Sequence, residues 1–166
     1  MMLYLVRHAL AEDASASGED DDRRLADKGR EHARRVGAGM SALGLAPNLI
    51  LSSPLPRAAE TARILAEAFV AHPPVRTLAD LSAGIPPAQA IAAIGPHCRH
   101  DEVMVVGHEP QLSTMTALML CGDSSAMHLR MRKLGCVALD LPVGRIAPRA
   151  GELHWMMTRR QLARMR

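Results

Sequence analysis

Three times in this chain an apolar, strand-forming run ends on a polar residue and passes straight into a helical pattern. Leu3-Tyr4-Leu5-Val6 meets Arg7, His8 and Ala9. Asn48-Leu49-Ile50-Leu51 ends in Ser52, Ser53 and Pro54, and Val103-Met104-Val105-Val106 ends in Gly107 and His108. Short apolar runs of this kind read as strands buried on both faces, as in a parallel sheet. Strands alternating with helices predict a three-layer α/β/α fold with a mostly parallel central sheet. In such a sheet the strand-to-helix junctions lie at one end, where ligands bind.

The connecting segments fit that plan. Apolar spacing predicts a helix from about Asp27, whose carboxylate suits a helix start, through Ala33, Val36, Met40 and Leu43 to a stop at Gly44. A second helix carries Arg57 to Ala62 and runs to about Phe69, with Pro56 in its first turn. Val75 to Leu78 reads as a brief edge strand, Asp80 to Pro87 as a loop, and Ala88 to Ile94 as a short helix. Leu112, Met115, Leu118 and Met119 predict a helix directly after His108. Gly135 to Leu141 and Gly151 to Met157 read as further strands, and Thr158 to Arg166 as a basic terminal helix. No repeat or linker interrupts the chain, and its 166 residues suit one domain spanning 1–166.

Several function classes drop out. The net charge is only +3, the basic residues are dispersed, and aromatics make up 2% of the chain, so a nucleic-acid partner is not expected. No apolar run is long enough to cross a bilayer, and Arg7 closes the apolar N-terminus too early for a signal peptide. Cys98, Cys121 and Cys136 read as free thiols, so a cytoplasmic protein is the expectation. His97-Cys98-Arg99-His100 does not match zinc spacing. The acidic segment from Glu12 to Asp22 reads as a solvated, mobile loop, and Arg159, Arg160, Arg164 and Arg166 as a solvated helix end. The Met residues between Met115 and Met131 read as core.

Arg7, His8, Arg57 and His108 therefore fall at three matching junctions. Two guanidiniums and two imidazoles at one crevice, beside the N–H groups of helix starts, make a pocket for an anion. A phosphate monoester carries roughly −1.5 to −2 charges near neutrality, which such a pocket offsets.

The blocks Leu5-Val6-Arg7-His8-Ala9, Ser52-Ser53-Pro54-Leu55-Pro56-Arg57-Ala58-Ala59-Glu60-Thr61-Ala62 and Val106-Gly107-His108-Glu109-Pro110 resemble the signatures of the histidine phosphatase (phosphoglycerate mutase-like) superfamily. The short chain and Arg24-Leu25-Ala26-Asp27-Lys28-Gly29 resemble its SixA-type phosphohistidine phosphatase branch. The resemblance implies a phosphoglycerate mutase-like fold and a hydrolase that needs no metal or cofactor. It makes His8 the nucleophile that forms a phosphohistidine. Arg7, Arg57 and His108 become the groups that hold the phosphoryl oxygens. Guanidiniums nearby are expected to keep His8 unprotonated. Glu60 and Thr61 are expected to stabilise the helix bearing Arg57.

Two departures bear on substrate. A leaving-group acid is expected after the second block, and Asp80 and Glu109 are only poor matches. The helix-start Thr of the family is Ala26 here, with Asp27 expected to take over the cap. A weak acid and a short insert between Phe69 and Val103 favour an activated leaving group on an accessible protein partner. The expectation is a protein phosphohistidine phosphatase acting on a phosphohistidine-bearing domain. The alternatives are a phosphatase of small phosphate esters and a non-catalytic phosphate- or phosphoprotein-binding module.

Overall fold

The computed structural model describes residues 1–144 and 146–165. A central sheet takes its strands in the order β3-β2-β4-β1-β5-β6. They are β1 (Met2–Arg7), β2 (Leu49–Ser52), β3 (Val75–Thr77), β4 (Glu102–Gly107), β5 (Cys136–Asp140) and β6 (Glu152–Met157). The first four pair in parallel, whereas β5 runs antiparallel to β1 and β6 antiparallel to β5. The sheet is thus mostly parallel, with an antiparallel margin that periodicity could not reveal.

Side-chain alternation divides the core into two layers. Tyr4, Val6, Ile50, Met104 and Val106 pack with α1 (Asp27–Ala42) and α2 (Pro56–Ala68) on one face. Leu3, Leu5, Leu51, Val103 and Val105 pack with α3 (Pro87–Ile94) and α4 (Gln111–Cys121) on the other. Each fully buried Leu or Val stabilises the fold by about 1.5–3 kcal/mol. Met115, Met119 and Met131 belong to this core, as expected, whereas Met127 lies outside it and is only half-buried.

The chain leaves β1 towards α1 on the first face and leaves β4 towards α4 on the second. These strands are neighbours, so their connections part company between them and open a crevice at their carboxyl ends.

Three expectations need correction. Asp27 does not cap α1: Ala26 stands at the N-cap without a side-chain bond, and the Asp27 carboxylate instead accepts from Arg30 Nη1 at 2.9 Å. The terminal helix, α5 (Arg159–Leu162), is shorter than the run to Arg166 and starts from a Thr158–Gln161 capping box. Arg166 lies outside the described residues. The acidic segment is exposed but ordered into a paired loop, with Ala11 bridging Leu25 and a 3-10 turn at Asp20–Asp22.

Gly29 explains how α1 can start so close to β1. A Cβ at this position would run into the carbonyl of Leu10, which already accepts from the Ala26 N–H at 3.0 Å. Gly29→Ala should therefore destabilise the fold by about 1–3 kcal/mol through overpacking, lowering Tm by several degrees. Thermal unfolding followed by circular dichroism measures this, and an unchanged Tm would refute the close-packing argument.

Candidate active site

The three junctions are stitched together by main-chain hydrogen bonds. The N–H of His8 donates to Gly107 O at 3.1 Å, and that of Ser53 donates to Val106 O at 3.0 Å. Arg7 is held from the far side, donating its N–H to Gly135 O at 3.1 Å and accepting from Leu134 N–H at 3.0 Å. The sheet thus brings Arg7, His8, Arg57 and His108 to one place. The His8 and His108 rings lie 5.1 Å apart, centroid to centroid, at 53°.

Each side chain is aimed by a specific partner. His8 Nδ1 is 2.7 Å from Ala9 O. A carbonyl can only accept, so Nδ1 carries the proton of the neutral ring and Nε2 keeps the lone pair. His108 Nε2 lies 2.8 Å from Ser53 Oγ, which itself accepts from Leu55 N–H at 3.2 Å. If the Ser53 hydroxyl donates to Nε2, the proton of His108 sits on Nδ1, which has no partner.

Arg7 donates Nη1 to Met131 O at 3.0 Å. Arg57 donates Nη1 to Asp20 O at 2.7 Å and Nη2 to Asp20 Oδ2 at 3.2 Å. Both guanidiniums keep a buried Nε without a partner. Unpartnered polar atoms in a buried cluster are costly unless a ligand satisfies them. Arg7 Nε and Arg57 Nε offer donors to an oxyanion, and His108 Nδ1 joins them when the Ser53 hydroxyl donates to Nε2.

Thr61 does more than stabilise α2. Its hydroxyl donates to Arg57 O at 2.7 Å and accepts from Ala9 N–H at 3.0 Å, tying the first block to the second. Glu60 fixes α2 to α1 through Arg30, with Nε and Nη2 at 2.6 and 3.3 Å.

The electrostatics favour neutral imidazoles. His8 is pushed down to about 3, first by burial, then by His108, with Arg57 and Arg7 adding less and the Ala9 carbonyl opposing. His108 is pushed down to about 4, again first by burial and then by the two guanidiniums, with Asp20 opposing. The guanidiniums do disfavour protonation of His8, as expected, but desolvation leads at both rings.

The two poor candidates for an acid differ in setting. Asp80 accepts from Gln89 Nε2 at 2.7 Å through its carboxylate. Glu109 is half-buried beside His108, its carboxyl pushed up by burial, and it accepts from Ser113 Oγ at 2.7 Å. Glu109 borders a cavity of about 280 Å³ that also touches His108 and Gln111.

Sequence reasoning missed three contributors. Gln111 donates to the carbonyls of Asp80 and Ile85 at 3.1 and 3.0 Å and so holds the loop beside that cavity. Lys133 comes close enough to feel Arg7, Arg23 and Arg57. Asp20 meets Arg57 mainly through a main-chain carbonyl, which no residue pattern encodes. Ser53 was visible only as one of two hydroxyls after a strand. Among the described residues, no group of three or more His, Cys, Asp or Glu gathers tightly enough for a metal ion. Cys98 of the His97–His100 stretch is buried, with its thiol towards Ile94 O at 3.5 Å.

Residues 3–83 match the profile of the histidine phosphatase superfamily, branch 1. An uncharacterized protein of a Picosynechococcus strain is 32% identical over 165 residues, covering 95% of this chain and 96% of its own. The chain belongs to the histidine phosphatase superfamily. Its fold matches that of the protein histidine phosphatase SixA complexed with tungstate, with a TM-score of 0.83 at 19% identity over 98% of this chain and 99% of that one. The α-ribazole phosphatase of Shigella flexneri matches at 0.75 and 19% identity, over 96% and 97%. The expected three-layer, phosphoglycerate mutase-like fold is therefore correct. No described helix is long and apolar enough to cross a membrane.

Burial of two neutral histidines has a consequence for stability. Their folded values lie below the ordinary 6.5, so the unfolded chain binds more protons, and stability is lost as pH falls from about 6.5 towards 4. Each ring contributes up to about 1.4 kcal/mol per pH unit in that window. Denaturant unfolding at stepped pH should show a shallower acid dependence for His8→Asn and His108→Asn than for wild type. Equal slopes would mean that the rings are not held neutral.

Proposed function

We propose that this superfamily member is a phosphatase that transfers the phosphoryl group to His8 Nε2 and then to water, with protein phosphohistidine as its substrate class. The observation that carries the reading is the free Nε2 of a neutral His8 next to three buried, unpartnered nitrogens on Arg7, Arg57 and His108.

In the first step the Nε2 lone pair forms a bond to phosphorus while the bond to the leaving group breaks. The leaving group departs with that electron pair and takes up a proton. His8 keeps its Nδ1 proton, donated to Ala9 O, so the phosphorylated ring is cationic. A cationic ring departs readily when water attacks in the second step, which returns neutral His8 and releases inorganic phosphate. Arg7, Arg57 and His108 bind the equatorial oxygens, and their value is greatest in a site from which water is excluded.

Two considerations support an imidazole leaving group. An imidazole departs with less help than an alkoxide, and Asp80 is engaged with Gln89. Likeness in fold to a protein histidine phosphatase is consistent with this, although an α-ribazole phosphatase shares the fold as well. Hydrolysis of small phosphate esters is the second reading. Glu109 favours it, because it is a half-buried carboxyl beside His108 that burial pushes up from the ordinary carboxylate range.

His8→Ala should lower turnover of an aryl phosphate by roughly 10⁴-fold or more. Arg57→Ala should both raise KM and lower kcat. Acid-labile phosphate should appear on His8 after rapid quenching with a fast phosphodonor, and steady release of phosphate should follow. Binding without turnover would instead indicate a phosphate-binding module. Side-by-side rates on a phosphohistidine protein and on small esters decide between the substrate classes. The loss of kcat/KM from protonation of His8 should come well below pH 6, given its lowered value; a titration at the ordinary histidine value would contradict the buried site.

A further inference from the structure

Arg57 is 3% exposed, yet its outer edge is already in use. Nη1 donates to the carbonyls of Asp20 and Asp21 at 2.7 and 3.4 Å, and Nη2 donates to Asp20 Oδ2 at 3.2 Å. That edge is one of the two with which a guanidinium grips an oxyanion in bidentate fashion. Only Nε is without a partner. His8 and His108 are buried beside Arg57, and the Asp20–Asp22 turn occupies the edge of Arg57 that a phosphoryl group would otherwise take.

The covering turn is suited to release. The Asp20 side chain is 68% exposed, so its ion pair with Arg57 is weak. The turn hangs from a paired base, where Ala11 bridges Leu25 and Glu12 N–H donates to Arg24 O at 2.9 Å. Its other bonds are largely internal, such as Ser17 Oγ to Asp22 Oδ2 at 2.7 Å. It can therefore swing as a unit. Glu19, Asp21 and Asp22 are exposed beside Asp20 and set negative charge at the mouth of an anion pocket. Such a rim repels bare phosphate and anionic esters while drawing cations.

We infer that the Asp20–Asp22 turn is a charge-selective latch on Arg57, displaced by substrate and favouring phosphorylated polypeptides whose phosphosite is flanked by Lys or Arg. This rests on reading the site as a phosphatase centre. Opening exchanges ion pairs rather than losing them. Arg57 passes from Asp20 to the phosphoryl oxygens, and the freed carboxylates pass to the cations of the substrate. Anionic flanks would meet like charge and gain nothing from the exchange. Arg23, which holds Asp20 Oδ1 at 2.8 Å, belongs to the same loop and moves with it. Lys133 lies near Arg7 and also near Arg23 and Asp13 of the loop.

Two measurements test the latch on the full chain. Asp20→Asn keeps the main-chain carbonyl but weakens the ion pair, so calorimetry should show tungstate binding at least 3-fold tighter than in wild type. Unchanged or weaker binding would make Asp20 a support for Arg57 and overturn the inference. For histidine-phosphorylated peptides, wild-type kcat/KM should favour Lys flanks over Glu flanks by 10-fold or more. The combined Asp20→Asn, Asp21→Asn, Asp22→Asn variant should lose most of that ratio, mainly by gaining on the Glu-flanked peptide. Absence of a wild-type preference, or its survival in the variant, would sink the idea. High salt should shrink the wild-type ratio in the same way and needs no variant. Tungstate binding requires no turnover. A chain that binds it as expected but never forms phospho-His8 would remove the phosphatase reading and leave the latch in place.

Discussion

The pairing of β1 with β4 is the constraint on which the site depends. Register sets Arg7 opposite Gly107, and the next residue, His8, donates its N–H to Gly107 O at 3.1 Å. Because the two strands send their helices to opposite faces, a crevice opens beyond their ends, and the Asp20–Asp22 turn reaches its Arg57 edge. β2 lies on the other side of β4 in the same direction and adds Ser53 and the start of α2. The chemistry is thus assembled by main-chain geometry, and the side chains only decorate the positions it provides.

Burial then determines what those side chains can be. A solvated histidine pair would be partly protonated near neutrality, and two guanidiniums would only moderate that. Here desolvation leads the shift at both rings, so His8 remains neutral because charging it in that place is expensive. Its tautomer follows from one contact, the 2.7 Å approach of Nδ1 to Ala9 O. Thr61 fixes the same residue from the other side through the Ala9 N–H, so the orientation of His8 is held by α2 as well as by β1.

What could be read from the residues was what repeats or carries fixed charge. The three apolar runs gave the parallel strands, and Arg7, His8, Arg57 and His108 stood out because each followed such a run. Hydrophobic periodicity says little about direction, so the antiparallel attachment of β5 and β6 stayed hidden. The cap of α1 was misassigned because an Asp at a helix start is favourable in general, whereas this one is drawn to Arg30. The acidic loop looked like free surface because its principal hold on Arg57 is a peptide carbonyl, a group every residue owns. Gln111 was invisible for a similar reason, since its partners are the carbonyls of a loop 26 to 31 residues upstream.

Arg7 donates to Met131 O across 124 residues of chain, and the backbone of Arg7 pairs with Leu134 and Gly135. His8 can therefore take its place beside β4 before Arg7 acquires its aim. The segment that supplies Met131 is held by the antiparallel pairing of β5 with β1, which needs residues 136–140 that follow β4 in the chain. A chain still emerging would carry its reactive imidazole with one clamp undirected. Competence arrives with the closing of the sheet, so completion of the fold and completion of the site are one event.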